Sequence, residues 1–361
     1  MKCSVITIHH IHNFGSVFQA YALARFLEIN GYEAEIIDYR PSYYDLGRNR
    51  LKTMVGRALN FSPFLKRKRK FESFIATREK LSPKRFTTLS ELEAYYKNSD
   101  NLFIAGGDQL WNDYHPCGSD DAYKLTFTGS AKKLAYGTSM GRDNFSETEL
   151  KKIAALVDSF ASIMLREQST VTLLKPYVKA PVEHVIDPVG LIDLKEYESI
   201  AVKPKINEPY AVMYLADSSE LLDSAIEKLS KEMGLKIVHI CGFKKKCYCD
   251  HFVKVAGPEE ILGYILNADF VISASFHATL FSLLFQKQFV TLLPGEQTNA
   301  RIKDVLTYVG LEDRILHNEN ELSQLDVKID YSFATQKIEE FKKASEAALL
   351  KALSEITKGQ L

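Results

Sequence analysis

Ala268-Asp269-Phe270-Val271-Ile272-Ser273-Ala274-Ser275-Phe276-His277-Ala278-Thr279-Leu280-Phe281-Ser282 reads as a buried strand, a tight polar turn and an apolar helix. The strand is Phe270 to Ser273, and the helix runs from about Ala278 to Phe285. This order sets His277 in the first turn of a helix at the carboxyl end of a strand. In open α/β sheets that edge is where ligands bind. The unpaired N–H groups of a helix start favour an anion there. Two readings of His277 are open: an acid or base beside a bound phosphate or carboxylate, or a capping side chain packed on Phe276.

Outward from this stretch the same alternation recurs. Tyr210 to Leu215, Lys236 to Ile240 and Phe289 to Leu293 read as strands. Ser219 to Met233, Pro258 to Asn267 and Asn299 to Val309 read as helices, and a charged helix from Phe333 to about Ile356 closes the chain. Upstream, a strand Cys3 to Ile8 leads through His9-His10-Ile11-His12-Asn13-Phe14-Gly15 into a helix over Ser16 to Asn30. Ser16 is its expected N-cap, Gly31 its stop, and Val17, Ala20, Leu23, Ala24 and Leu27 its apolar face. Strands are expected at Ala34 to Asp38, Asn101 to Ala105, Lys133 to Thr138, Ala161 to Leu165 and Glu183 to Ile186, with a helix over Ser146 to Ser159. Strand–helix–strand units of this kind build parallel sheets.

A basic insertion near 42–88, carrying Lys66-Arg67-Lys68-Arg69-Lys70, interrupts the first half, and the polar stretch Lys195 to Pro209 is the expected linker. The basic run is either a solvated helix face or a contact for an anionic lipid-linked or polymeric substrate. The fold class expected is α/β: two Rossmann-like, doubly wound domains facing a cleft, as in GT-B glycosyltransferases, with a C-terminal helix. The boundaries are 1–195, 205–330 and 331–361, the last being a helix that packs back on the body.

A chain of 361 residues suits two domains, and its 46 basic residues balance its 46 acidic ones. No global field therefore draws it to nucleic acid. The N-terminus does not read as a signal peptide, and no apolar run approaches a membrane span. Five cysteines, an odd number, fit a reducing cytoplasm better than a disulfide framework. His9, His10 and His12, and Cys241, Cys247 and Cys249, lack the ligand spacing of a known zinc site, so no metal is expected.

Four loops follow predicted strands and would line the cleft. Asn13, Gly15 and Ser16, with Gln19 just inside the helix, offer close backbone approach and hydroxyl or anion contacts. Gly106, Gly107, Asp108 and Gln109, followed by Trp111, suit a sugar edge: the carboxylate and amide match hydroxyls, and the indole can stack on a pyranose. A tight turn over a buried tryptophan is the alternative. Tyr136 to Gly141, including Ser139, is small and polar. Arg166 is either a bidentate anion ligand or an ion-pair partner of Glu167 or Asp187.

The chain resembles the polysaccharide pyruvyltransferase family. The blocks that carry the resemblance are Asn13 to Leu23, Ile36 to Pro41, Gly106 to Asn112, Tyr136 to Ser139, Arg166-Glu167, Asp187-Pro188 and Ser275 to Ser282. The resemblance implies transfer of a pyruvyl group from phosphoenolpyruvate to two hydroxyls of a sugar, leaving a ketal, in cell-surface or exported polysaccharide biosynthesis. Phosphoenolpyruvate is then a co-substrate and no cofactor is expected. The N-terminal domain would take the acceptor, lipid-linked in one possibility, and the C-terminal domain the donor. By similarity His277 shuttles protons and Arg166 binds the donor anion, with Ser275, Phe276, Asn299 and Arg301 around them. Some members carry an arginine two residues before the histidine, where this chain has Ser275. A replacement cation would come from Lys244 to Lys246 or Arg301. The location implied is cytoplasmic, with peripheral membrane contact and no span. Sugar-nucleotide glycosyl transfer and non-catalytic carbohydrate binding are the alternatives.

Overall fold

The computed structural model describes residues 1–44, 61–215, 217–240, 247–293 and 300–358. The chain divides into two compact units: Met1–Thr53, Ile75–Ile192 and Glu339–Leu361 form the first, Met54–Phe74 and Asp193–Ile338 the second.

The first unit is built on β1 (Lys2–Ile6), β2 (Glu33–Ile36), β3 (Leu102–Gly106), β4 (Lys133–Thr138), β5 (Ser162–Leu165) and β6 (Val182–His184). Their order is β2-β1-β3-β4-β5-β6, and every pairing is parallel. All residues of β3, β4 and β5 are buried, as expected of parallel strands covered on both faces. Helix α1 (Phe14–Ile29) starts two residues before the expected position. Asn13, not Ser16, is its N-cap, because Asn13 Oδ1 accepts from the N–H groups of Gly15 and Ser16 at 2.9 and 3.3 Å. α1 is buried nearly all round rather than on one stripe, for it also packs against the turn Pro188–Gly190.

The second unit repeats the plan with β7 (Tyr210–Tyr214), β8 (Lys236–Ile240), β9 (His251–Val253), β10 (Phe270–Ser273), β11 (Gln288–Leu292) and β12 (Ile315–Leu316). Their order is β12-β11-β10-β7-β8-β9, again parallel throughout. The molecule is thus α/β, with two six-stranded parallel sheets among the described residues.

Three boundaries differ from those read in the sequence. Helix α2 (Phe61–Arg78) crosses the basic insertion, and residues 54–74 belong to the second unit, where Lys70 Nζ pairs with Glu260 at 2.5 Å. The polar stretch after residue 192 is not a bare linker. Helix α6 (Leu194–Ile200) is capped by Asp193, and its buried Tyr197 meets Phe281 edge-on at 5.0 Å. The last helix, α11 (Ser332–Lys358), is shared: its start belongs to the second unit and the rest to the first, where Ser345 Oγ accepts from the N–H of Ile186. No helix among the described residues is long and apolar enough to cross a membrane.

Candidate functional site

In the first unit the strand order reverses direction between β1 and β3, and the carboxyl ends at such a reversal are where open α/β sheets bind ligands. Most of the predicted N-terminal residues meet there. Ser16 Oγ donates to Asp108 Oδ2 at 2.5 Å, although 92 residues separate them. Asp108 Oδ1 accepts from the N–H of Gln109, and the N–H of Ser139 donates to the Asp108 carbonyl. Gly107 and Asp108 both take positive φ, 66° and 53°, a conformation Asp tolerates better than most residues. This double left-handed turn aims the Asp108 carboxylate back across the start of α1.

Several expected ligands serve instead as struts. Gln19 is fully buried, and its amide N–H₂ group donates to Thr7 Oγ1, the Ile8 carbonyl and the Ser16 carbonyl. Its oxygen is thereby turned onto Gly107, where a Cβ would lie 1.6 Å from it. Gly106 is needed for packing: a Cβ there would lie 2.3 Å from Leu23. Gly15 and Ser139 are buried, and their polar groups are engaged within the turns. Trp111 is not a stacking platform. It is 1% exposed in the core, and its indole N–H donates to the Tyr123 carbonyl at 3.0 Å. Of the residues predicted for this edge, Asn13 is exposed and Gln109 half-buried, with Gln109 Oε1 accepting from Asn112 Nδ2 at 2.6 Å.

Arg166 takes the second of its two readings, the ion pair. Nη1 meets Asp187 Oδ2 at 2.5 Å and Nε meets Glu167 Oε1 at 3.2 Å, with all three side chains only 1% exposed. Burial alone would lower its pKa, but Asp187, Glu167 and Asp108 together raise it. One guanidinium against two carboxylates leaves the group formally negative, which disfavours a second anion. Arg166 is the ion-pair partner of both acids.

The second unit has its own switch point, between β7 and β10. There the backbone from Ser273 onward turns into helix α9 (Phe276–Leu284). Ser275 is the N-cap: its Oγ accepts from the N–H of Ala278, and its own N–H donates to Ser273 Oγ at 2.9 Å. Ser275 thus shapes the helix start, where an arginine side chain, having no acceptor, could not cap. His277, second residue of α9, is 5% exposed and lies edge-on to Phe276 at 5.1 Å. The Arg301 guanidinium, at the start of α10 (Ala300–Tyr308), lies 5.5 Å from the centre of the Phe276 ring. A cation therefore accompanies the histidine's helix start. Just past the end of β7, Leu215 is 47% exposed with φ 54°, a conformation costly for a leucine. Asn299, Cys241 and Lys244 to Lys246 lie outside the described residues. Among those described, no cluster of His, Cys, Asp and Glu suits a metal ion.

One cluster carried no expected role. Asp38 receives His9 Nε2 at 3.1 Å, Arg40 Nε and Arg85 Nε. The block Ile36 to Pro41 contains Asp38 and Arg40, but nothing in the sequence near Arg85 signals its convergence on them.

Solved structures share this fold at low identity. A UDP-N-acetylglucosamine 2-epimerase from Rickettsia bellii aligns at TM-score 0.59 and 11% identity, over 99% of this chain and 97% of the other. One from Neisseria meningitidis bound to UDP-GlcNAc gives 0.56 and 9%, over 98% and 100%. A glycosyltransferase from Rickettsia africae gives 0.55 and 13%, over 99% and 98%. These likenesses are to the GT-B fold and establish the fold alone. Among curated proteins nothing matches the chain. The family profile described as polysaccharide pyruvyl transferase matches residues 13–295, a span that takes in both switch-point loops. The chain belongs to the polysaccharide pyruvyl transferase family.

Proposed function

We propose that this chain transfers a pyruvyl group from phosphoenolpyruvate to two hydroxyls of a sugar, forming a ketal, in the assembly of a cell-surface or exported polysaccharide. Membership of the family supports the reaction class. The observation that carries the assignment of roles is His277 in the first turn of α9, at the carboxyl end of β10.

The chemistry requires one proton to be given and two to be taken. Protonation of C3 of the enol converts it to a methyl group and makes C2 electrophilic. The first sugar hydroxyl adds to C2 and gives up its proton, and the C2–O bond to phosphate breaks. The second hydroxyl then closes the ring and gives up its proton. Phosphate carries one proton away, and the other replaces the one spent on C3. His277 is the group to which we assign proton transfer at C3. Arg301 and the N–H groups at the start of α9 suit the donor's carboxylate and phosphate. Arg166 is given no part in donor binding, because its charge is already met by Glu167 and Asp187. Asp108, Gln109 and Asn13 suit hydroxyl groups of the acceptor. The reading takes the cytoplasm as its compartment and needs no cofactor.

The test is phosphate release from phosphoenolpyruvate across a panel of sugar acceptors, comparing wild type with His277→Ala. Turnover with nucleotide sugars but not with phosphoenolpyruvate would replace this reading with glycosyl transfer.

A further inference from the structure

We infer that the first unit holds a phosphate or diphosphate site formed by Arg40 and Arg85 over Asp38. Past the end of β2 the chain continues beside residues 80–86. The N–H of Ile36 donates to the Lys80 carbonyl at 2.8 Å, that of Ser82 to Ile36 at 2.8 Å, that of Phe86 to Asp38 at 2.9 Å and that of Arg40 to Phe86 at 2.8 Å. This backbone register brings both arginines to one carboxylate. Arg40 Nε meets Asp38 Oδ1 at 2.5 Å, and Arg85 Nε meets Asp38 Oδ2 at 3.0 Å.

Each guanidinium thus spends only its Nε–H on Asp38. The terminal nitrogens of both bond to no described residue, and the side chains of Arg40 and Arg85 are 21% and 59% exposed against 8% for Asp38. Hydrogen bonds from His9, Arg40 and Arg85 outweigh the burial of Asp38 and hold its carboxyl well below the usual range, so it stays ionised. Two guanidiniums against one carboxylate leave an excess of positive charge. The other acid nearby, Glu79, pairs with neither arginine: it is 7% exposed, neither of its oxygens has a hydrogen-bond partner, and burial pushes its carboxyl well above the usual range.

Beside Arg40, His10 is held neutral: burial, then His9 and Arg40, lower its pKa to about 3. Its Nδ1 is buried without a partner. Asp38 fixes the two forks before any ligand arrives, so little ordering remains to be done on binding. A carboxylate is satisfied by a single fork, whereas the several oxygens and double charge of a phosphate match two.

The full-length protein titrated calorimetrically with inorganic pyrophosphate tests the site. Wild type should bind, more weakly as salt is raised. Arg40→Gln and Arg85→Gln should each lose about ten-fold in affinity, a shift well within measurement. Lys231→Gln, which removes an exposed lysine of the second unit, should bind as wild type does. Arg85 is exposed enough that Arg85→Gln should melt at the wild-type temperature, so a folding defect in Arg40→Gln would not blunt the test. Wild-type pyrophosphate affinity in a folded Arg85→Gln would overturn the inference. The source of the phosphate is a separate matter that rests on the pyruvyl-transfer reading. A raised KM for a phosphorylated acceptor, with that for phosphoenolpyruvate unchanged, assigns the site to the acceptor, and the reverse assigns it to the donor. Unchanged KM for both would contradict a role in catalysis, while leaving the pyrophosphate result to stand or fall alone.

Discussion

Arg166 and Trp111 show how a side chain's chemistry is redirected by its neighbours. An arginine after a strand and a tryptophan after a glycine pair have the chemistry of ligand contacts, and both prove internal. With Arg166 removed, the buried Glu167 and Asp187 would lose the guanidinium that both carboxylates face. Arg166→Met should therefore cost about 3–5 kcal/mol in urea unfolding. Near-wild-type stability with a raised KM for phosphoenolpyruvate would restore Arg166 as a donor ligand. Trp111→Phe leaves the Tyr123 carbonyl without its indole donor. It should cost about 1–3 kcal/mol without changing the KM for the acceptor, whereas a stable variant with weakened acceptor binding would speak for stacking. Glu79 offers a case with the opposite sign. A carboxyl whose folded pKa is raised stabilises fully below the unfolded value, near 4.3, and that stability is lost as pH rises toward the folded pKa. Glu79→Gln should thus match wild type near pH 4 and exceed it near neutrality. Urea midpoints that show no such divergence would mean that Glu79 finds a partner.

The elements were legible where burial imposes a plain pattern. Strands such as Tyr210–Tyr214 and Phe270–Ser273 are continuous apolar runs because helices cover both faces of a parallel sheet. Short pieces are hard to read: His251–Val253 is three residues with a polar start, Ile315–Leu316 only two, and α6 is about two turns of largely polar sequence around Tyr197. The start of α1 is ambiguous in the sequence because Asn13 and Ser16 are both good caps, and only the fold commits Ser16 to Asp108. Of the site, the loops were legible and the partners were not, since contacts such as Ser16–Asp108 and Arg40–Asp38–Arg85 form only when distant segments are brought side by side. The turn after β3 can be probed directly. Gly107 combines positive φ with a Cβ direction blocked by Gln19. Gly107→Ala should lose about 1–3 kcal/mol and disturb the Ser16–Asp108 contact. Unchanged stability would show that Gln19 yields without cost.

Taken as a molecule, the chain uses one plan twice: among the described residues, a six-stranded parallel sheet whose order reverses beside its first strand, the place at which open α/β sheets bind ligands. The first unit offers hydroxyl-matching groups around Asp108, and the second offers His277 and Arg301 at the starts of two helices. The proposed reaction assigns acceptor hydroxyls to the first set and a doubly anionic donor to the second. The most direct test is phosphate release from phosphoenolpyruvate with a panel of sugar acceptors, run on wild type and His277→Ala. Acceptor-dependent release by wild type, reduced about 10²–10⁴-fold in His277→Ala with an unchanged melting temperature, is the expected result. Full activity in His277→Ala, or no release with any acceptor alongside turnover of a nucleotide sugar, would contradict it.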